Sequence, residues 1–268
     1  MTKLPISVCL IAGNEAHRLG RTLESVKAWV SEIVLVIDDK VTDGTDKVGE
    51  SHGARVFCRP WRGHAVHRNF ATAQATQPWI LAIDADEVVS DQLRQEILAL
   101  FQAETYNDSA VAYSFPRLSF FCGRWIRHGN WYPDRKVRLW RKGDGEWQGS
   151  PHEKLVIQGN VRRLRGSLLH FSNESIDQLL GKIGPVSTLQ VNRAQAQGRR
   201  AGWVDLLARP WWKFFRAYVI RRGFLDGWQG YFIVWMESFS TVTRYAKAID
   251  SQQTKPSLEA LPQQAYHG

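Results

Sequence analysis

Residues 83–87 read Ile-Asp-Ala-Asp-Glu and follow the apolar run Trp79, Ile80, Leu81, Ala82, so a strand that reads as buried ends in three acids within four positions. Charge packed that closely repels itself unless a cation or donors offset it. Asp84 and Asp86 could share a divalent cation, because Mg²⁺ and Mn²⁺ take oxygen ligands and often use one or two carboxylates together with a substrate's phosphates. The competing explanation is a solvated turn whose acids favour the start of a following helix. Two further polar groups sit in matching places. Asp38 closes the apolar run 33–37, ahead of the turn Thr42-Asp43-Gly44-Thr45, and Asn14-Glu15 follows the apolar run 6–12. A carboxylate at Asp38 could accept from a base N–H or a ribose hydroxyl. Asp43-Gly44 is ordinary turn chemistry, and Asn14-Glu15 suits a capped helix start equally well.

These residues need elements to hold them at one edge. Leu19, Leu23, Val26 and Val30 recur at helical spacing after the first apolar run. A short helix over 45–52, a strand over 55–58 and a helix marked by Val66, Phe70 and Ala73 follow. The strand 79–83 comes next, then a helix carrying Leu93, Ile97 and Phe101 with Ser90 as its N-cap. Alternating βαβα order predicts an α/β fold with a mostly parallel central sheet covered by helices on both faces. In such sheets ligands bind beyond the carboxyl ends of the strands, where Asn14, Glu15, Asp38, Asp84 and Asp86 all fall. Further strand-like runs at 111–118, 136–141, 154–157 and 167–171 read as strands closing the sheet. From residue 172 the pattern is helical and basic, with Pro185, Gly198, Gly202 and Pro210 expected to break it into short pieces. The expected divisions are a catalytic domain over 1–171, with halves at about 1–105 and 106–171, a basic helical extension over 172–250, and a tail over 251–268.

The 268 residues carry a formal charge of +9 and twelve Trp. Residues 158–222 hold ten Arg and two Lys against Glu174, Asp177 and Asp205, so this window accounts for the whole excess. A local basic block points to an anionic partner: nucleic acid, an acidic membrane surface or a phosphorylated substrate. Nucleic acid is disfavoured by the locality of the charge and by the lack of an RNA-recognition or zinc-finger pattern. Cys9, Cys58 and Cys122 are scattered, with no CxxC pair, which predicts neither a disulfide framework nor a zinc knuckle. The first residues read as a strand rather than a signal peptide, and no apolar run is long enough to span a bilayer. The expected setting is cytoplasmic.

Four stretches in order, SVCLIAGNEAHRL, VLVIDDKVTDGT, RGHAVHRNFATA and PWILAIDADEVVS, resemble inverting family 2 glycosyltransferases of the GT-A fold. The later stretch RHGNWYPDRKVRLWRKGDGEWQGSPHEKL is similar to the branch of bacterial lipopolysaccharide and lipooligosaccharide core β-1,4-glucosyltransferases. The likeness covers about residues 4–171, and the C-terminal part only loosely. It implies that Asp38 binds the nucleotide base, that Asn14, Glu15 and Arg68 line the nucleotide-sugar pocket, that Asp84 faces the ribose or the metal, and that Asp86 holds a divalent cation bridging the diphosphate. His152 would be a further metal ligand or a donor to the diphosphate. Lys40-Val41 stands where the family usually has Gly-Ser. Inverting transfer needs a carboxylate base opposite the leaving group: Glu153 is the first choice and Asp134 the second. The donor implied is UDP-glucose, and the acceptor a heptose of a phosphorylated, lipid-anchored core oligosaccharide. A polyprenyl-linked glycan or a peptide is the alternative acceptor. Trp125, Trp131 and Trp147 are candidate sugar-stacking rings, with core filling the better expectation for any one of them.

Residues 208–224, ARPWWKFFRAYVIRRGF, interleave aromatic rings with cations. That mixture suits a peripheral position in an anionic membrane interface. The alternative is a helix pair packed on protein with its Arg residues in solvent.

Overall fold

A computed structural model describes residues 3–103, 110–149, 153–173 and 175–252. His152 and nearly all of the expected tail therefore lie outside the described residues. The chain divides into two compact units: residues 1–127 with 131–172, and residues 128–130 with those from 173 onward.

The first unit begins β1 (Leu4–Ala12), α1 (Ala16–Lys27), β2 (Val30–Asp38), α2 (Thr45–Ser51), β3 (Arg55–Arg59), α3 (His64–Gln74), β4 (Trp79–Ala82). Strands β3, β2, β1 and β4 lie side by side in that order, all parallel. β1 is an unbroken apolar run because both its faces are covered. Ile6, Val8, Leu10 and Ala12 pack into one core with Leu19, Leu23 and Val26 of α1, while Cys9 and Ile11 pack into the other with Ala71 of α3. Each fully buried aliphatic side chain here contributes roughly 2 kcal/mol.

The rest of the unit adds β5 (Glu87–Val89), α4 (Asp91–Gln102), β6 (Ala110–Phe121), β7 (Arg124–Ile126), β8 (Asp134–Arg141), β9 (Gly145–Gln148), β10 (Lys154–Ile157), β11 (Asn160–Arg163) and β12 (Leu168–Asn173). Here the expectation of a mostly parallel sheet needs correction. β8 runs antiparallel to both β4 and β6, β7 is antiparallel to β6, and β12 is antiparallel to β5. The sheet is mixed. No crossover helix separates β6, β7 and β8, and without one consecutive strands fold back antiparallel. Glu87 does not start the next helix. It opens β5 and is fully buried, while α4 is capped, as expected, by Ser90, whose hydroxyl accepts from Leu93 N–H at 3.2 Å.

The second unit holds α5 (Ile176–Gly181), α6 (Ile183–Ala196), α7 (Trp203–Phe215), a π-helical turn (Arg216–Ile220), a 3₁₀ turn (Gly223–Asp226) and α8 (Gly227–Asp250). Gly198 and Gly202 do separate α6 from α7, and α5 ends at Gly181, four residues before Pro185, where a proline interrupts a helix, but Pro210 does not break α7. Pro185 sits in the first turn of α6, where its missing N–H has no helical partner to lose. Pro210 lies inside α7 and is buried, so packing outweighs the lost backbone bond. Trp235 of α8 packs on Trp211 and Phe214 of α7, with ring centroids 6.0 and 5.0 Å apart. Among the described residues no helix is long and apolar enough to cross a membrane.

Candidate active site

The loops after β1 and β2 are stapled to each other. Asn14 Oδ1 accepts from Thr42 N–H at 3.1 Å, and Thr45 Oγ1 accepts from Glu15 N–H at 2.9 Å. Asp43 Oδ2 accepts from Ala16 N–H at 2.9 Å, while its Oδ1 takes both the N–H and the hydroxyl of Thr45. These bonds to the charged form hold Asp43 below the usual carboxylate range, the Thr45 hydroxyl first among them. Val41 packs against the core, a contact for which the small polar Ser usual at this position in the resembling family has little apolar surface.

Beyond the strand ends lies a cavity of about 500 Å³. Gly13, Glu15, Asp38, Arg68, Asp84, Asp86 and Glu153 all line it, and so do Trp61, His64 and His170. Asn14 is not on its wall; it braces the loop that is. Asp38 also accepts from Lys40 N–H at 3.3 Å, and Glu15 pairs with Arg18.

Behind the cavity is an ionic cluster. The antiparallel register of β8 on β4, with Leu81 opposite Leu139, brings Arg138 up beside the residues that follow β4. Arg138 Nη2 lies 2.8 Å from Asp84 Oδ2, and Arg68 Nη2 lies 2.5 Å from Asp84 Oδ1. Asp84 thus has both oxygens on guanidiniums, and a ribose or metal would compete with them. Burial alone would raise its carboxyl, but Arg138 and Arg68 outweigh that and hold it far below the usual range. Glu87 goes the other way. Burial raises it, Arg138 pulls it down, and the neighbouring Asp84 charge adds to the rise, leaving it above the usual range. Its Oε2 accepts from Asp84 N–H at 2.9 Å, so it holds the turn that carries both Asp84 and Asp86.

Asp86 is separate from this cluster. The pairing of β12 with β5, His170 opposite Glu87, sets His170 Nε2 3.5 Å from Asp86 Oδ2, with Arg18 Nη1 at 3.9 Å. Burial raises Asp86, but the bond and charge of His170 more than reverse this and leave it lowered. Among the described residues no three His, Cys, Asp or Glu come together as a ready-made metal cage. The Asp86 carboxylate fits a hard cation that takes its remaining ligands from a diphosphate, as Mg²⁺ commonly does with phosphorylated substrates; the His170 imidazole beside it is a softer donor than Mg²⁺ prefers.

A second cavity, also about 500 Å³, is lined by Arg117, Arg135, Lys136, Arg138 and Lys154. Arg68, Asp84 and Glu153 line both cavities. Glu153 is held by Arg68 Nε at 3.4 Å, and the Arg68 guanidinium lies 4.7 Å from the Trp147 ring centroid. Asp134 is on neither wall. It pairs with Arg117 Nη2 at 2.8 Å and Lys136 Nζ at 3.0 Å. Burial would raise its carboxyl, but those two cations lower it. The three tryptophans do not form one cluster: Trp147 is buried against Trp140, Trp125 packs on Phe120 and Phe171, and Trp131 packs on Phe121.

The exposed ring at the first cavity is Trp61, seated 4.4 Å from the His67 ring. Sequence reasoning missed Trp61, His64, Arg138 and His170 as lining or clamping residues. Two of them carried a signal: Arg138 inside the Arg-Lys-Val-Arg-Leu-Trp run and His64 inside RGHAVHRNFATA.

Residues 7–155 match the family described as Glycosyl transferase family 2. The chain is 34% identical to the lipopolysaccharide core biosynthesis glycosyltransferase LpsC of Rhizobium meliloti over 224 residues, 81% of either chain. It is 32% identical to an uncharacterized glycosyltransferase of Rickettsia felis over 92% of this chain and 90% of that one. Among solved structures, a mannosyltransferase from Pyrobaculum calidifontis in complex with GDP-Man and Mn²⁺ matches with a TM-score of 0.53 at 13% identity, covering 94% of this chain and 87% of that one. At that identity the likeness concerns the fold alone.

Proposed function

The chain belongs to glycosyl transferase family 2, with the GT-A fold, and from that premise we propose that it moves glucose from UDP-glucose, with inversion, onto a heptose of a lipopolysaccharide inner-core acceptor. The observation that carries this reading is Glu153, whose residue lines both cavities. A base in a single displacement must reach the acceptor hydroxyl while the donor's anomeric carbon faces that same hydroxyl. The donor side is the cavity with Asp38 and Glu15 for the nucleoside and Asp86 for the diphosphate end. The acceptor side is the cavity rich in Arg and Lys, which suits a phosphorylated sugar.

The acceptor oxygen attacks the anomeric carbon and its proton passes to Glu153. The bond from that carbon to the diphosphate oxygen breaks, releasing the nucleoside diphosphate. Arg68 holds Glu153 in place and is itself held by Asp84. Asp86 and His170 are the residues that would hold a divalent cation, which when bound would neutralise diphosphate charge on the leaving group. The core-biosynthesis role of the Rhizobium meliloti relative supports the choice of acceptor.

The reading includes attachment to an anionic membrane surface. On α7, Trp203, Leu207, Trp211 and Phe215 recur every four residues and are exposed, Trp211 at 66%. Trp228, Tyr231, Trp235 and Phe239 continue an exposed apolar row on α8. Arg216, Arg221 and Arg222 lie between those helices in sequence. Such rings favour headgroup depth, and each cation near an acidic surface adds about 1 kcal/mol.

The deciding experiment incubates the protein with UDP-glucose, Mn²⁺ and a heptose-containing core oligosaccharide and reads the product by NMR. A new β-glucosyl linkage is expected. An α-linkage would overturn inversion, and transfer only to a polyprenyl-linked glycan would overturn the acceptor.

A further inference from the structure

The helical unit contains a cavity of about 580 Å³ that belongs to neither wall of the candidate active site. Arg193 of α6, Arg199 and Arg200 of the following turn, Arg209 of α7 and Arg244 of α8 all line it. The single carboxylate on its wall among the described residues is Asp205. That carboxylate is already engaged, accepting from Gly202 N–H at 3.1 Å and pairing with Arg209. Two of the guanidiniums are steadied by one ring: Arg244 lies 4.3 Å and Arg209 5.8 Å from the centroid of Tyr245.

Arg209 is spent on Asp205, which leaves four arginines on the wall with no further carboxylate among the described lining residues to neutralise them. Guanidinium forks match the oxygens of a phosphate and hold them in pairs. The cavity is concave and of a size that takes a small molecule, not a nucleic-acid duplex. Gln190 and Gln197 on its wall offer amides suited to sugar hydroxyls. The helix that supplies Asp205 and Arg209 also carries the exposed row Trp203, Leu207 and Trp211, two residues out of step with them and so on its opposite face.

We propose that this cavity binds the phosphorylated saccharide headgroup of a glycolipid, as a site distinct from the one where transfer occurs. The phosphate part stands on the cavity alone; the lipid part rests on the membrane reading above.

The test is calorimetric titration of the full chain with a water-soluble glucosamine disaccharide bearing two phosphomonoesters, and with the same disaccharide lacking phosphate. The phosphorylated form binds and the other is at least about tenfold weaker, since one lost charge-assisted bond is worth that much. The double variant Arg199→Gln/Arg200→Gln removes two exposed guanidiniums and weakens the phosphorylated ligand by about tenfold or more. Thermal stabilisation by UDP with Mn²⁺ stays unchanged in that variant, which separates this site from failure of the catalytic reading. Equal binding of both disaccharides, or of wild type and variant, overturns the proposal. So does inorganic phosphate binding as tightly as the disaccharide. If phosphatidylglycerol vesicles bind through Arg199 and Arg200 while the phosphorylated disaccharide does not, the ligand is a plain phospholipid headgroup and the saccharide assignment falls.

Discussion

His170 Nε2 stands 3.5 Å from Asp86 Oδ2, brought there by the antiparallel pairing of β12 on β5. Neither residue reaches the other through local sequence, yet together they form the only carboxylate–imidazole pair on the wall of the cavity at the strand ends among the described residues. If that pair holds the cation, His170→Gln and Asp86→Asn each weaken the Mn²⁺ dependence of UDP binding, by on the order of tenfold or more. Thermal-shift titration of UDP against Mn²⁺ reads this directly. Unchanged metal dependence in both variants would remove them from the metal site.

Glu153→Gln keeps the shape of the carboxylate but cannot take a proton from the acceptor. Transfer should fall by roughly 10²- to 10⁴-fold, the range for a lost general base, while UDP binding is retained. Asp134→Asn serves as the contrast, because Asp134 lines neither cavity and is spent on Arg117 and Lys136. Its variant should keep turnover within a few-fold. Steady-state kinetics on both decide the assignment, and an Asp134 variant crippled alongside an active Glu153 variant would reverse it.

Asp84 predicts a stability effect with a definite pH sign. Its folded carboxyl is held well below the unfolded value of about 3.9. The stabilisation is therefore fully present above about pH 4 and is lost as the pH falls below it. Asp84→Asn leaves the buried Arg138 and Arg68 without their shared partner, which costs about 3 kcal/mol at neutral pH. The variant should also show a shallower loss of stability in acid. Glu87 is raised instead, so its contribution falls as the pH rises above about 4. Glu87→Gln should cost less than Asp84→Asn at pH 7. Urea melts from pH 3 to 8 on both variants test the order.

The exposed row on α7 predicts salt-sensitive attachment to acidic vesicles. Replacing Trp203, Leu207 and Trp211 together by Ala removes apolar contact and leaves the cations in place. Sedimentation with phosphatidylglycerol vesicles at low salt should drop several-fold relative to wild type, and wild-type binding should itself fall at high salt as charges are screened. Wild-type protein that stays in the supernatant at low salt would refute membrane attachment.

The sequence by itself carried the parallel half of the sheet, because a strand buried on both faces must be an unbroken apolar run and a crossover helix must show a 3.6-residue period. Both signals are local. The acids at the strand ends were legible for the same reason: Glu15, Asp38, Asp84 and Asp86 each follow such a run, and the structure sets all four on one cavity. What it did not carry was anything decided by register. The pairing of β8 on β4 delivers Arg138 to Asp84, and that of β12 on β5 delivers His170 to Asp86. Trp61 is exposed at the cavity because the chain between β3 and α3 turns it there. A one-residue slip would send each strand side chain to the opposite face, and nothing in the composition of a strand says which partner it will meet. One proline failed similarly: Pro210 reads as a breaker, but tertiary packing of α7 against α8 overrides the local penalty. Long-range pairing and packing are set by the whole fold's free energy, which is why the mouth of the site could be read residue by residue while Arg138 and His170 could not.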